Sequence, residues 1–164
     1  MKSLVVFESV FGNTEVIATA IAKSIEGKLV RVEEVNMNSL KSLDLLIVGS
    51  PVHGGRATFT IDDFLKRIPP DSLKQVNVAT FDTRFAPEDH GIGIKILINI
   101  IRFAAERIAK ELVKKGGILI VKPEGFIVND KEGPLRKGEE LRAKVWAKAI
   151  AKSVMKKFNY SSKD

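Results

Sequence analysis

"ESVFGNTEVIA", residues 8–18, stands between the apolar run "SLVVF" (3–7) and a stretch whose apolar residues recur at helical spacing. Val16 and Ile17, Ala20 and Ile21, then Ile25 mark that helix, and Gly27 stops it. "SLVVF" runs on rather than alternating, as a strand buried on both faces does. A buried strand that turns at once into a helix is half of a βαβ unit, and the same alternation repeats downstream. "KLVRVEEV" (28–35) suits a more exposed strand, while "LDLLIVGS" (43–50) and "QVNVATFD" (75–82) read as buried ones. Helices are expected around 59–68, ended by Pro69-Pro70, and at about 94–115, closed by Gly116-Gly117 before the strand "ILIVK" (118–122). After a loop at 129–137, Leu141, Val145, Ala149, Trp146, Ile150, Val154 and Phe158 form the expected inner face of a last helix. The pattern predicts an α/β fold: a five-stranded parallel sheet, order 2-1-3-4-5, with helices on both faces.

The 164 residues suit one domain, 1–164, and are too few for two ordinary ones. The chain has no Cys, which excludes disulfides, thiolate metal sites and thiol chemistry. With the first strand read from Lys2 no signal peptide is expected, and no apolar run approaches the roughly 20 residues that span a bilayer. A cytoplasmic protein without stable membrane insertion is expected. The formal charge of +7 favours an acidic partner without choosing its class. Lys144, Lys148, Lys152 and Lys156 form an i, i+4 stripe roughly opposite the Trp146–Phe158 face, so they read as a solvated surface. No nucleic-acid partner is expected.

In this strand order, ligands sit above the carboxyl ends of strands 1, 3 and 4. The loops that leave those ends are "ESVFGNT" (8–14), "SPVHGGRAT" (50–58) and "DTRFAPEDHG" (82–91), all rich in Gly, Ser, Thr or Asp. A helix beginning near Asn13 aims unpaired N–H groups and a partial positive charge at the first loop. Ser9, Thr14 and the Asn13 amide can complete a cradle for a terminal phosphate, and Gly12 permits a positive φ. The loop lacks the G-x-x-x-x-G-K-[ST] triphosphate pattern and the three spaced glycines of a dinucleotide fingerprint. A single phosphate held by neutral donors remains; the plainer reading of the same residues is a helix cap. A phospho-receiver would need an Asp ending strand 3, where Ser50 stands. His90 beside Glu88 and Asp89 has no further ligand cluster, so no metal site is expected, and spacing alone identifies no catalytic residue.

Ser9-Val10-Phe11-Gly12-Asn13-Thr14 resembles the flavodoxin phosphate loop, Ser/Thr-x-Thr-Gly-Asn-Thr. With "GSPVHGG", "TFDTR", "EGF.V" and "EGPL..GEELRAKVWAKAI", the chain is similar over nearly its whole length to the short flavodoxin-domain proteins of bacteria and archaea. The resemblance implies a flavodoxin-like three-layer sandwich that binds one FMN noncovalently and moves electrons to or from a redox partner protein or a small redox substrate. By resemblance, Ser9, Val10, Phe11, Gly12, Asn13 and Thr14 hold the FMN phosphate. Ser50, Pro51, Val52, His53, Gly54 and Gly55 border the inner face and edge of the isoalloxazine. Asp82, Thr83, Arg84 and Phe85 border its outer face and pyrimidine end. Gly54 and Gly55 let a peptide turn over, so that a carbonyl can accept from a protonated flavin N5. Two other readings stand: an FMN-dependent oxidoreductase of quinone-reductase or protoporphyrinogen-oxidase type, and a flavin-free binding module of the same fold.

The chain departs from that family in four ways. Phe11 replaces the usual loop Thr. The only Trp and Tyr, Trp146 and Tyr160, lie at or beyond the last helix rather than beside the flavin. His53 and Phe85 either stack in their place or are a solvent-facing His and a core-directed Phe; Arg84 meets the flavin's carbonyl edge, brings in an anionic partner, or pairs with Asp82, Glu88 or Asp89. In 91–108, Ile94, Ile96, Leu97, Ile98, Ile100, Ile101 and Phe103 wrap most of a helical circumference, so neighbouring loops or a second copy must cover them. A homodimer through the 94–103 helix is one of those two expectations. The last departure is charge: electron-carrying flavodoxins are typically acidic, and this chain is basic. Nearby cations favour an anionic reduced flavin. A potentiometric titration is therefore expected to place the second midpoint less negative than in acidic relatives; a midpoint as low as theirs refutes this.

Overall fold

The computed structural model describes residues 1–53, 56–86 and 104–161, with side chains as far as residue 157. Strands β1 (Ser3–Phe7), β2 (Lys28–Arg31), β3 (Leu45–Pro51), β4 (Asn77–Phe85) and β5 (Ile118–Leu119) form a sheet in the order β2-β1-β3-β4-β5. A further strand, β6 (Glu124–Val128), also pairs with β4. Every ladder among the described residues is parallel. The expected order is present, with one change at the fifth position.

That position is filled by two segments rather than by one strand at 118–122. β5 pairs with the start of β4 at Asn77 and Val78, and β6 with its carboxyl end, from Phe81↔Glu124 to Phe85↔Val128. The chain leaves the ladder after Leu119 and rejoins it at Glu124, directly after Pro123, which has no N–H to give a ladder. β2 is also shorter than 28–35. At Val32–Glu34 the chain turns into a 3₁₀ helix, which buries Val32 and leaves Glu33 and Glu34 in water.

Strand alternation sends side chains to two cores. Leu4, Val6, Leu46, Val48 and Val78 meet helices α2 (Phe59–Arg67) and α3 (Ala104–Lys114). Val5, Phe7, Leu45, Ile47, Ala79 and Phe81 meet α1 (Asn13–Ser24) and α4 (Glu139–Ser161) on the other face. The result is a three-layer sandwich. On α4 the expected inner face needs correction. Leu141 and Val145 are 66% and 62% exposed, and Ala149 is exposed too. The buried stripe is Ala143, Ala147, Ile150, Ala151 and Val154, flanked by half-buried Trp146. Three alanines at i, i+4 spacing allow α4 to lie close beside α1, and closeness rather than side-chain bulk selects the face.

The helix expected at about 94–115 is described only from Ala104 onward. The homodimer expectation at 94–103 and the group Glu88, Asp89 and His90 lie outside the described residues. Among the described residues no helix is long and apolar enough to cross a membrane.

Phe81, Phe126 and Trp146 pack edge to face, with centroids 5.9, 6.4 and 6.1 Å apart, and join β4, β6 and α4. Phe126 is fully buried. Phe126→Ala is expected to cost about 3–5 kcal/mol in urea denaturation. A loss below about 1 kcal/mol, the scale of an ordinary point mutation, contradicts this packing.

Candidate functional site

The carboxyl ends of β1, β3 and β4 open on one rim, as parallel pairing requires. At the first of them, Gly12 takes φ +86°, a left-handed conformation that glycine adopts without strain, and α1 starts at the next residue. No side chain caps that helix through Gly12. The Ser9 Oγ accepts from the N–H of Glu15 at 3.3 Å, and the N–H of Val16 reaches the Gly12 carbonyl at 3.0 Å. Among the described residues, the N–H groups of Asn13 and Thr14 donate to nothing. Two unpaired donors at the positive end of a helix dipole are the chemistry that holds an anion. The one acid of this first turn, Glu15, is paired to Arg31 and so does not oppose an anion there unaided.

Two side chains of the loop are committed elsewhere. Thr14 Oγ1 shares a buried hydrogen bond of 2.8 Å with Thr83 Oγ1. Asn13 Nδ2 donates to the Glu132 carbonyl at 3.0 Å. What this corner offers an anion is therefore backbone amides and Ser9, with Val10 and Phe11 exposed beside them.

The second loop is pinned at both ends. Buried Ser50 donates to the Pro51 carbonyl at 2.9 Å and accepts from the Thr58 N–H at 3.3 Å. The Val52 N–H donates to the Thr83 carbonyl at 2.9 Å, which ties this loop to the third. His53 and Arg56 exchange backbone hydrogen bonds of 2.9 and 3.1 Å. Gly54 and Gly55, between them, lie outside the described residues. His53 is exposed. Glu8, which the sequence reading did not single out, accepts from the hydroxyls of Thr58 and Thr60, at 3.2 Å for Thr60. Burial raises its carboxyl above the usual range, the Thr60 hydrogen bond opposing and the Glu33 charge assisting.

At the third loop, β4 sends alternate side chains to opposite faces. Asp82 is fully buried, where Arg84 pairs with it and the Ala105 N–H donates to Oδ2 at 2.9 Å. Burial pushes the Asp82 carboxyl up, and the charge and hydrogen bonds of Arg84 and the Ala105 N–H pull the other way. The Asp82 salt bridge expected for Arg84 is present. Phe85 is 38% exposed, and so stays partly at the surface rather than within the core.

Two further features were not legible as site residues. Phe59, the first residue of α2, is 81% exposed near the second loop; a Phe opening a helix carries the same signal as a core residue. The 129–134 loop reaches the start of α1 through Glu132, and its signal was only the turn-forming Asn, Asp, Gly and Pro. Behind it, the "EGF" and "GEELR" segments lock together. Arg142 pairs with Glu124 at 2.9 Å and Glu139 at 2.6 Å, its guanidinium lies 4.6 Å from the Phe126 ring centre, and Glu139 accepts from the Ile127 N–H at 2.7 Å.

A family model described as "Flavodoxin domain" matches residues 4–115. No curated protein matches. Among solved structures, the chain is similar to a flavodoxin from the domain Archaea, with TM-score 0.73 and 21% identity over 94% of this chain and 99% of that one. It is also similar to the flavodoxin, WrbA-like protein from Agrobacterium tumefaciens, at 0.73 and 16% over 94% and 98%. Oxidised Flavodoxin 2 from Bacillus cereus matches at 0.67 and 21% over 96% and 99%.

The Glu139 anchor gives a pH-dependent expectation. Burial pushes its carboxyl up, but hydrogen bonds from Arg142 and the Ile127 N–H and the charges of Arg142 and Arg136 hold it below the usual range. A folded pKa below the unfolded one adds stability above the ordinary glutamate range and loses it as pH falls through the folded value. Glu139→Gln is expected to cost about 1.5–3 kcal/mol at neutral pH. In denaturant titrations the gap from wild type closes as the pH is taken well below about 4; a gap independent of pH contradicts the assignment.

Proposed function

The chain belongs to the flavodoxin family, and on that premise we propose that it binds FMN at this rim and carries electrons for a redox partner protein or a small redox substrate. The phosphate lies at the 9–14 corner, and the isoalloxazine between the 50–55 turn and the 82–85 strand end. The observation that carries this reading is the open start of α1. The N–H groups of Asn13 and Thr14 lack acceptors among the described residues, next to a Ser hydroxyl and with no Lys in the loop. That donor set fits one phosphate and falls short of a polyphosphate's charge.

When bound, the flavin supplies one- and two-electron redox chemistry. The chain's own residues bind and shield it. Gly12 brings the backbone round to the phosphate, and Ser9 holds the first turn in place. Ser50 and Glu8 fix the base of the second loop at Thr58, and the Val52–Thr83 hydrogen bond sets the gap between the two loops that flank the ring. Exposed Phe11, Phe59 and Phe85 give the rim an apolar fringe in place of the Trp and Tyr of other flavodoxins. Such a fringe excludes water and offers a partner apolar area near the flavin.

Calorimetric titration of the flavin-free protein with FMN and with riboflavin tests this. FMN is expected to bind and give a yellow protein absorbing near about 450 nm, a flavin property. Riboflavin, lacking the phosphate, is expected to bind at least about tenfold more weakly, the scale of one charge-assisted hydrogen bond or more. No FMN binding, or equal affinity for the two flavins, overturns the reading.

A further inference from the structure

We propose that Asn13 acts as a positioning residue, holding the 129–134 hairpin against the amino end of α1 and making that hairpin a fourth wall of the phosphate corner. The proposal rests on the FMN reading above and deepens it.

The contact is specific on both sides. Asn13 Nδ2 donates to the Glu132 carbonyl at 3.0 Å, joining residues 119 positions apart. The next residue, Gly133, has φ +105°, and a Cβ built on it would lie 2.5 Å from Asn13 Oδ1 and 2.7 Å from Nδ2. A side chain at 133 would therefore strain the backbone and push the Asn13 amide aside. The hairpin is ordered by its own hydrogen bonds. Asn129 N–H donates to the Pro134 carbonyl at 2.9 Å, Gly133 N–H to the Asp130 carbonyl at 3.0 Å, and Arg136 N–H to the Ile127 carbonyl at 2.8 Å. Val128 and Leu135 pair across its base, and Glu139 anchors Ile127 below it. A preformed arm, fixed at its root to β6 and α4, therefore reaches the first residue of α1.

That residue is where placement matters most. Its own backbone N–H is one of the two donors left open for the phosphate, while its side chain points sideways into the hairpin. Amide donors that converge on one phosphate are sensitive to the angle at which the helix begins, because hydrogen bonds weaken steeply as they bend. Holding the Asn13 side chain fixes that angle. The side chain then contributes to phosphate affinity by aiming the backbone, and a hairpin far along the chain shares in the binding.

The test separates aiming from direct contact. In one variant, residues 129–134 are replaced by Asn-Gly, a two-residue turn that preserves the pairing of Val128 with Leu135. In a second, Gly133→Ala disturbs the contact at full loop length. Each is combined with Asn13→Ala, and affinities for FMN and riboflavin are measured. Each single change is expected to lower FMN affinity about 3- to 10-fold, the range of one hydrogen bond, and to leave riboflavin affinity as it was. Each double variant is expected to bind no worse than its singles. If the hairpin variants bind FMN like wild type while Asn13→Ala does not, or if the losses multiply, Asn13 is a direct phosphate ligand and the proposal fails. Should the shortened chain not fold, Gly133→Ala carries the same comparison. Melting temperatures without flavin give an independent arm. Asn13→Ala is expected to lower Tm in the full-length loop and not in a hairpin variant, and equal lowering in both overturns the brace. Failure of wild type to bind FMN would overturn the flavin reading and leave this arm standing.

Discussion

The hydrogen bond between Thr14 and Thr83 holds the rim together. Both residues are almost wholly buried, and each hydroxyl satisfies the other at 2.8 Å across 69 positions of sequence. A buried hydroxyl without a partner costs about 1–3 kcal/mol, so neither can leave this geometry cheaply. One partner opens α1 and the other lies near the end of β4. Their pairing fixes the phosphate corner against the third loop, and the Val52 N–H on the Thr83 carbonyl adds the second loop to the same point. Thr83 thus joins all three loops. On the proposed reading, one hydroxyl is thereby withdrawn from the phosphate, which leaves backbone amides and Ser9 to hold it.

The alternation that aims Thr83 at α1 aims its neighbour at the opposite face. Asp82 carries a buried carboxylate against α3, with Arg84 and the Ala105 N–H as its partners. A buried ion pair adds little net stability, but removing one partner strands the other's charge. The value of this pair lies in placement: it fixes α3 against the end of β4, close to the rim. On the far side of β4, β6 is held by Arg142, Glu139 and the Phe126 ring. The carboxyl end of β4 is therefore constrained from both layers, as a strand must be if a planar ligand is to lie against it.

Much of this was legible in the sequence, because buried parallel strands announce themselves as unbroken apolar runs and helices as a 3.6-residue period. The strand order, the two cores and the convergence of three loops followed from those signals. The parts that escaped depend on contacts far apart in the chain. The expected strand at 118–122 stops at Leu119, and β6, which was not expected, forms beyond it along the β4 edge. The buried face of α4 holds Ile150 and Val154, as the pattern indicates, together with three alanines that a pattern weighted by size passes over for Leu141 and Val145. The side chains of Asn13 and Thr14 read as free donors because their partners, Glu132 and Thr83, are 119 and 69 residues away. Local spacing shows that a side chain can donate; it does not show to what.

The central claim is that the open amides at the start of α1 hold the phosphate of FMN. The most direct measurement is a ¹⁵N-resolved NMR titration of the flavin-free protein. FMN is expected to shift the Asn13 and Thr14 amides strongly downfield, as charge-assisted hydrogen bonds do, and riboflavin to leave them in place. Asn13 and Thr14 amides that stay put while FMN saturates the protein would contradict this reading.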